Sequence, residues 1–350
     1  MLYIALFFWF WVLSNIYLVS NEFRAKYSRV LFYISMLILL FIIAFRYQVG
    51  ADWEAYVDRM DDLRGESIFD AYMQDMLYGV IDWLGANIFK NIYFVNFTST
   101  LIIIYFSYKF LLFIPNYWMG ALILLQPYFI YIAMNQIRQG VAIVIIAYAI
   151  MLLSKSSKIL MPIFLMFLAI NFHISAILIC LILIIYIIAK SQKKLLFGFF
   201  ISLPILFFIY SSYEYVTDKL VFYSFVTIDN AASFFLLRIL FCIFAASIII
   251  WRFFRGSNSH KIISFYAISI IFIPLLFIQF PSGIVFIERL SSFWIPLQAI
   301  AFSDFNFKNK LNNIILINIF SFIYFIIFLI WVNFSSVSEF WIPYRNILLE

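Results

Sequence analysis

Apolar stretches of roughly 14 to 22 residues recur from one end of this chain to the other, and none alternates with a period of two. Such runs match a hydrocarbon layer of about 30 Å, and in lipid only helices or closed barrels satisfy their own backbone. Continuous apolarity selects helices. With 66% hydrophobic and 11% charged residues, a water-soluble fold has too little polar surface to cover the rest. The expected fold is therefore an all-α integral membrane protein of about 12 membrane helices, some short or re-entrant. The expected spans are 2–19, 30–45, 92–113, 117–133, 137–153, 159–171, 174–189, 195–211, 232–252, 262–280, 284–303 and 313–332. No repeat or linker divides the chain, so residues 1–350 read as a single polytopic membrane domain. Met1 leads directly into the first run without a basic segment or a small-residue cleavage site, which reads as a retained helix and not a removed signal peptide. Cys180 and Cys242 lie inside apolar runs and suggest neither a disulfide nor a metal cluster.

Charge then orients the chain. With the N-terminus outside, the inner loops hold Arg24, Lys26, Arg29, Lys109, Lys155, Lys158, Lys190, Lys193, Lys194, Arg252, Arg255, Lys261, Lys308 and Lys310 against only Glu22 and Asp304. Inner loops total +12 and the outer side −6, a strong positive-inside bias. The basic pI thus belongs to cytoplasmic loops and does not call for nucleic acid. Residues 159–189 are flanked by basic residues on both sides and are too long for one straight pass, so a tight hairpin turning near Asn171, Phe172 and His173 is expected. The largest outer segment, 46–91, is acid-rich. Its stretch Met76–Leu84 is too short and polar to span and reads as an amphipathic helix in the outer interface.

A charge within a membrane helix costs about 2.5–3.5 kcal/mol on insertion scales, so each one needs a reason. Arg46, Gln136, Arg138, Gln139, Asn171, His173, Arg238, Glu288 and Arg289 all fall on or near the outer face of this threading. Each has a plainer reading. An arginine near a helix end often snorkels to the interface. Glu288 and Arg289 could neutralise one another, and His173 could be a hydrogen-bonded turn residue. The joint pattern, four arginines and one histidine on one face, points to a cavity open outward, whereas a carrier would place polar groups near mid-bilayer. Arginine forks match phosphate oxygens in pairs. No P-loop and no G-x-G-x-x-G appears, and the two histidines, 173 and 260, fall on opposite sides, which disfavours a histidine-based zinc site. An enzyme facing outward needs a substrate that arrives activated. A glycan on a lipid diphosphate is one, with arginines to neutralise the departing diphosphate and Asp52 or His173 as the base.

Four motifs, in order, carry a family resemblance. Phe45-Arg46-Tyr47-Gln48-Val49-Gly50-Ala51-Asp52-Trp53-Glu54-Ala55-Tyr56 is similar to the FR-x-x-VG-x-D-x-x-x-Y signature of EpsG-type membrane proteins. Ile137-Arg138-Gln139-Gly140, Phe172-His173-Ile174-Ser175 and Glu288-Arg289-Leu290 follow, with Pro343-Tyr344 near the end. The family resembles Wzy-type polysaccharide polymerases. The resemblance implies a glycosyltransferase-C-like fold without cofactor or metal, in the inner (cytoplasmic) membrane of a bacterium; the charge asymmetry puts both termini on the periplasmic side. It also implies polymerisation of undecaprenyl-diphosphate-linked repeat units into O-antigen, capsule or exopolysaccharide. By motif it carries over Arg46, Gly50, Asp52, Tyr56, Arg138, Gln139, His173 and Arg289. We expect Asp52, His173, Arg138 and Arg289 as catalytic residues, and Arg46, Tyr56, Gln139, Arg238 and Glu288 as substrate-binding ones. Expected partners are the lipid-linked donor and acceptor and the bilayer, with a chain-length regulator and a flippase as candidates. The competing readings are a lipid-linked oligosaccharide flippase and an acyltransferase acting on the same polysaccharide.

Overall fold

A computed structural model describes residues 1–156, 158–189, 232–255, 261–271, 273, 284–303, 310–335 and 337–350. The expected span 195–211, and with it Lys190, Lys193, Lys194, His260, Asp304 and Lys308, lies outside the described residues. Among those described, every regular element is helical, and the only backbone bridge joins Arg46 to Asn346.

The chain opens with α1 (Leu2–Val19) and α2 (Ser28–Ala44), then two outer-segment helices, α3 (Trp53–Asp62) and α4 (Ile68–Leu84). It continues with α5 (Ile92–Leu111), α6 (Tyr117–Leu124), a π-turn over Leu125–Ile130, the short α7 (Ile132–Asn135) and α8 (Ile137–Lys155). The hairpin α9 (Leu160–Phe172) and α10 (Ala176–Ala189) follows, then α11 (Ala232–Phe254) and α12 (Lys261–Ile268). Last come α13 (Ile284–Ser291), α14 (Ile295–Ser303) and α15 (Lys310–Phe334).

Among the described residues, seven segments are long and apolar enough to cross a membrane: Leu2–Val19, Phe23–Ala44, Ile92–Leu111, Tyr117–Asn135, Ile137–Lys155, Leu236–Phe254 and Leu311–Phe334. The expectation of about 12 spans therefore reduces, in the described residues, to these seven plus shorter apolar helices. Two of the shorter ones form the hairpin at 160–188, which turns at His173–Ser175 as the flanking charges required. The expected span 284–303 is broken by a 3₁₀ turn at Ser292–Trp294. Pro127 accounts for the π-turn after α6, since proline lacks an N–H and its ring clashes with the preceding turn. The outer helix is longer than expected: α4 begins at Ile68, where the Ser67 hydroxyl accepts the Asp70 N–H at 3.1 Å, a capping arrangement.

α8 and the α6–α7 segment are apolar on all sides and form the buried centre. Around them α1, α2, α11 and α15 expose apolar faces, such as Ile34, Ile38 and Phe41, or Phe322, Ile326 and Ile330. Trp11, Asn15 and Asn318 hydrogen-bond across α1 and α15, the polar contact that ties helices together where both sides are apolar.

The contacts sort the chain onto two ends. At one, Tyr3 reaches Trp341 and Tyr344, the Arg46 segment reaches Asn135 and Phe340, and Tyr131 reaches Glu288. At the other, Tyr17 lies beside Tyr117, Phe32 beside Tyr108, Lys155 over Phe113, and Arg252 donates to the Ala301 carbonyl. Of the basic loop residues expected inside, Arg24, Lys155 and Arg252 thus lie at the Lys155 end, and the motif residues Arg46, Asp52 and Glu288 lie at the Arg46 end.

Candidate active site

The loop after α2 is the base of the site, and its shape is forced by close packing. Gly50 has φ +101°, and a Cβ there would lie 2.4 Å from the Met134 carbonyl oxygen. Only glycine lets the loop press onto the break between α7 and α8. The Asp52 N–H donates to Asn135 Oδ1 at 2.8 Å, and the Gly50 N–H donates to the Phe340 carbonyl at 2.8 Å. The C-terminal segment closes from the other side: Tyr47 N–H donates to the Arg345 carbonyl, Ile347 N–H to the Phe45 carbonyl, and the Tyr344 hydroxyl to the Ile42 carbonyl. These bonds hold Tyr344 and its neighbours against the signature loop three hundred residues earlier.

Arg46 is placed behind the site. It is 1% exposed, and its guanidinium donates to the Ile43 and Val49 carbonyls at 2.9 and 3.1 Å while stacking over Trp53. It satisfies one carbonyl at the end of α2, Ile43, that the helix itself cannot, and one in the following loop, Val49. Burial pushes its pKa down to about 10, so it stays charged at neutral pH.

Asp52 stands at the N-cap of α3, yet its carboxylate caps nothing and is left for other work. Burial raises it above the usual carboxylate range, opposed by the charges of Arg289 and then Arg138, with Glu288 adding to the rise. The charges of two arginines from different helices thus both act on this one carboxyl. Arg138, in the first turn of α8, lies over the rings of Tyr56 and Tyr78 at 5.8 and 5.6 Å. Burial raises the Tyr56 hydroxyl, which also hydrogen-bonds to Arg138. Gln139 is buried and donates through Nε2 to the Arg289 carbonyl, tying α8 to α13. Its Oε1, Gln136 Oε1 and the Tyr78 hydroxyl are buried beside the cluster without a hydrogen-bond partner among the described residues.

His173 ends α9 at the same end of the bundle. Its Nδ1 accepts the Ser175 N–H at 3.3 Å and lies 2.5 Å from Ser175 Oγ, which leaves the ring proton on Nε2. Burial, with Arg138 and Arg289 nearby, pushes its pKa down to about 3. The imidazole is neutral at physiological pH and offers an N–H donor.

Glu288 does not neutralise its sequence neighbour Arg289. It pairs with Arg238 from α11, and the Tyr131 hydroxyl donates to the same carboxylate oxygen at 3.2 Å. Arg238 lies 4.2 Å over the Tyr131 ring, which in turn stacks on Trp341. A second ion pair joins α3 to α4, where Arg59 meets Asp82 at 2.6 Å.

The nine expected residues therefore divide. Asp52, Tyr56, Arg138, His173 and Arg289 come together. Arg46 and Gln139 support them from behind, and Arg238 with Glu288 forms an adjoining pair. Asn135, Tyr131, Tyr78 and Trp341 were not anticipated. Only Asn135 carried a signal, as a polar residue ending an apolar run just before the Arg138 motif. Among the described residues no group of three or more His, Cys, Asp or Glu is close enough to hold a metal ion.

No curated protein and no solved structure matches the chain. The sequence profile of the EpsG family matches residues 29–346, from the start of α2 to the Asn346 that bridges Arg46. The site and its C-terminal clamp lie within that match, and the chain belongs to the EpsG family.

Proposed function

We propose that this chain is a membrane glycosyltransferase that polymerises undecaprenyl-diphosphate-linked repeat units into a surface polysaccharide at the outer face of a bacterial inner membrane, with both termini on that face. The observation that supports the reading is a buried carboxylate, Asp52, on which the charges of Arg138 and Arg289 both act, at the end of the bundle opposite Lys155. In a chain of the EpsG family, that arrangement suits transfer from a lipid diphosphate.

The acceptor hydroxyl oxygen attacks the anomeric carbon, and the bond from that carbon to the diphosphate oxygen breaks. Undecaprenyl diphosphate leaves with the electron pair, and the hydroxyl proton passes to Asp52. Burial makes Asp52 a better base than an exposed carboxylate while the arginines keep it ionised. Arg138 and Arg289 neutralise the charge that develops on the leaving diphosphate. His173, neutral with its proton on Nε2, donates a hydrogen bond to substrate and does not compete as base. Arg46 is a positioning residue for the loop that carries Asp52.

Gene deletion followed by a gel of surface polysaccharide tests the reading. A polymerase null leaves single repeat units on the core lipid. No surface glycan at all would instead mark a flippase, and unchanged chain length would mark a decorating enzyme.

A further inference from the structure

Beside the Asp52 cluster, a cleft enclosing about 560 Å³ of empty space runs between the α6–α7 segment, α11, α14 and α15. Its sides are Pro127, Leu237, Phe241, Ile327 and Trp331. Arg238 and Tyr131 stand at its head, and Gln298 and Tyr324 line its floor. On α15 the lining runs from Ser335 down to Tyr324, a rise of about 16 Å. The floor polar groups already serve one another: the Tyr324 hydroxyl donates to Gln298 Oε1 at 2.5 Å, and Gln298 Nε2 donates to Cys242 Sγ at 3.1 Å. Nothing below the head asks for a polar ligand. The head itself leads to the arginines, since Arg238 pairs with Glu288, the residue before Arg289. On the outside of the cleft, Leu236, Leu240, Ile326 and Ile330 are exposed apolar residues that would face lipid.

An apolar slot of this size with a few polar groups at one end has the form of a ligand site. We propose that the cleft seats the isoprenoid chain of a lipid diphosphate, with its charged head delivered past Arg238 to Arg138 and Arg289. The inference rests on the polymerase reading for the identity of the chain. The occupant is a hydrocarbon with an anionic head because the walls offer only apolar contact, while the route out of the cleft passes one arginine and ends at two more. A neutral lipid would gain nothing from that route, and a free anion would gain nothing from the walls.

The full chain in nanodiscs is titrated with farnesyl diphosphate and with geranylgeranyl diphosphate. Affinity should rise with the longer chain, and Leu237→Trp or Ile327→Trp, which fill the cleft, should weaken binding about tenfold or more. Leu236→Trp, one residue away but on the exposed face, should bind as the parent does. As a milder variant, Leu237→Cys should react with a maleimide and be protected by geranylgeranyl diphosphate. The native Cys180 and Cys242 are buried and serve as the background. Binding that ignores chain length and both Trp substitutions, or a Leu237→Cys reaction rate unchanged by ligand, overturns the seat. Displacement of the prenyl diphosphate by phosphatidylglycerol at equal concentration also overturns it, by making the cleft a seat for bulk lipid. Because prenyl diphosphate binding is read without any glycan, failure of the polymerase reading would appear separately, in the deletion gel.

Discussion

The two ends of the bundle use arginine differently. At the Lys155 end, Arg24 lies on the surface, donates to the Tyr17 and Leu18 carbonyls and rests over the Tyr17 ring, and Lys26 pairs with Glu22 in full exposure. These side chains cover a helix end and reach water, as snorkelling residues do. At the Arg46 end, Arg46, Arg138, Arg238 and Arg289 come from four separate elements and turn inward, against carbonyls, rings and carboxylates. Desolvating a guanidinium is costly, so each of the four is held by carbonyls, rings or carboxylates. The same residue type therefore covers a helix end at one end of the bundle and packs into a cluster of rings, carbonyls and carboxylates at the other.

The broadest test of this contrast is the side each end occupies. Alkaline phosphatase fused after Glu350 should be active and fused after Lys155 inactive. The opposite pattern would put the site in the cytoplasm and break the comparison outright. Asp52→Asn should abolish polymer at normal protein level, because the amide keeps the shape but cannot take a proton. In purified enzyme, activity should fall as pH drops through the raised Asp52 pKa, since the base is then occupied. With His173 pushed down to about 3, no histidine inflection should appear between about pH 5 and 8. Polymer from Asp52→Asn would remove it as the base.

One substitution made at both ends sharpens the contrast further. Arg138→Lys or Arg289→Lys keeps the charge but loses the fork, and should slow polymerisation by about tenfold to a hundredfold, the worth of one charge-assisted bond. Gly50→Ala should reduce both protein level and polymer. It forces a Cβ against the Met134 carbonyl at a left-handed position, a strain of about 1–3 kcal/mol. Arg24→Lys should leave polymer length unchanged, since either side chain reaches water from that helix end. Equal loss from Arg24→Lys and Arg289→Lys would erase the distinction between the ends.

The membrane class was legible because lipid leaves a backbone so few options. Long apolar runs such as Leu2–Val19 and Leu311–Phe334 become helices whatever surrounds them. The hairpin at His173 followed from charge alone, since Lys155 and Lys158 before it and the basic residues after 189 belong on the same side. Motif order brought Asp52, Arg138, His173 and Arg289 onto one list. What the sequence could not contain was the partner of each charge. Glu288 sits next to Arg289 in the chain but faces Arg238, fifty residues away, because neighbouring residues on a helix point about 100° apart. Arg46 reads as a ligand by type, and only the packed structure shows it 1% exposed against the Ile43 and Val49 carbonyls. The break of 284–303, the length of α4 and the clamp of residues 338–347 on the Arg46 loop likewise arise from contacts between distant segments. Hydrophobicity is a property of each residue and can be read one position at a time. Pairing is a property of packed helices, and it exists only once they meet.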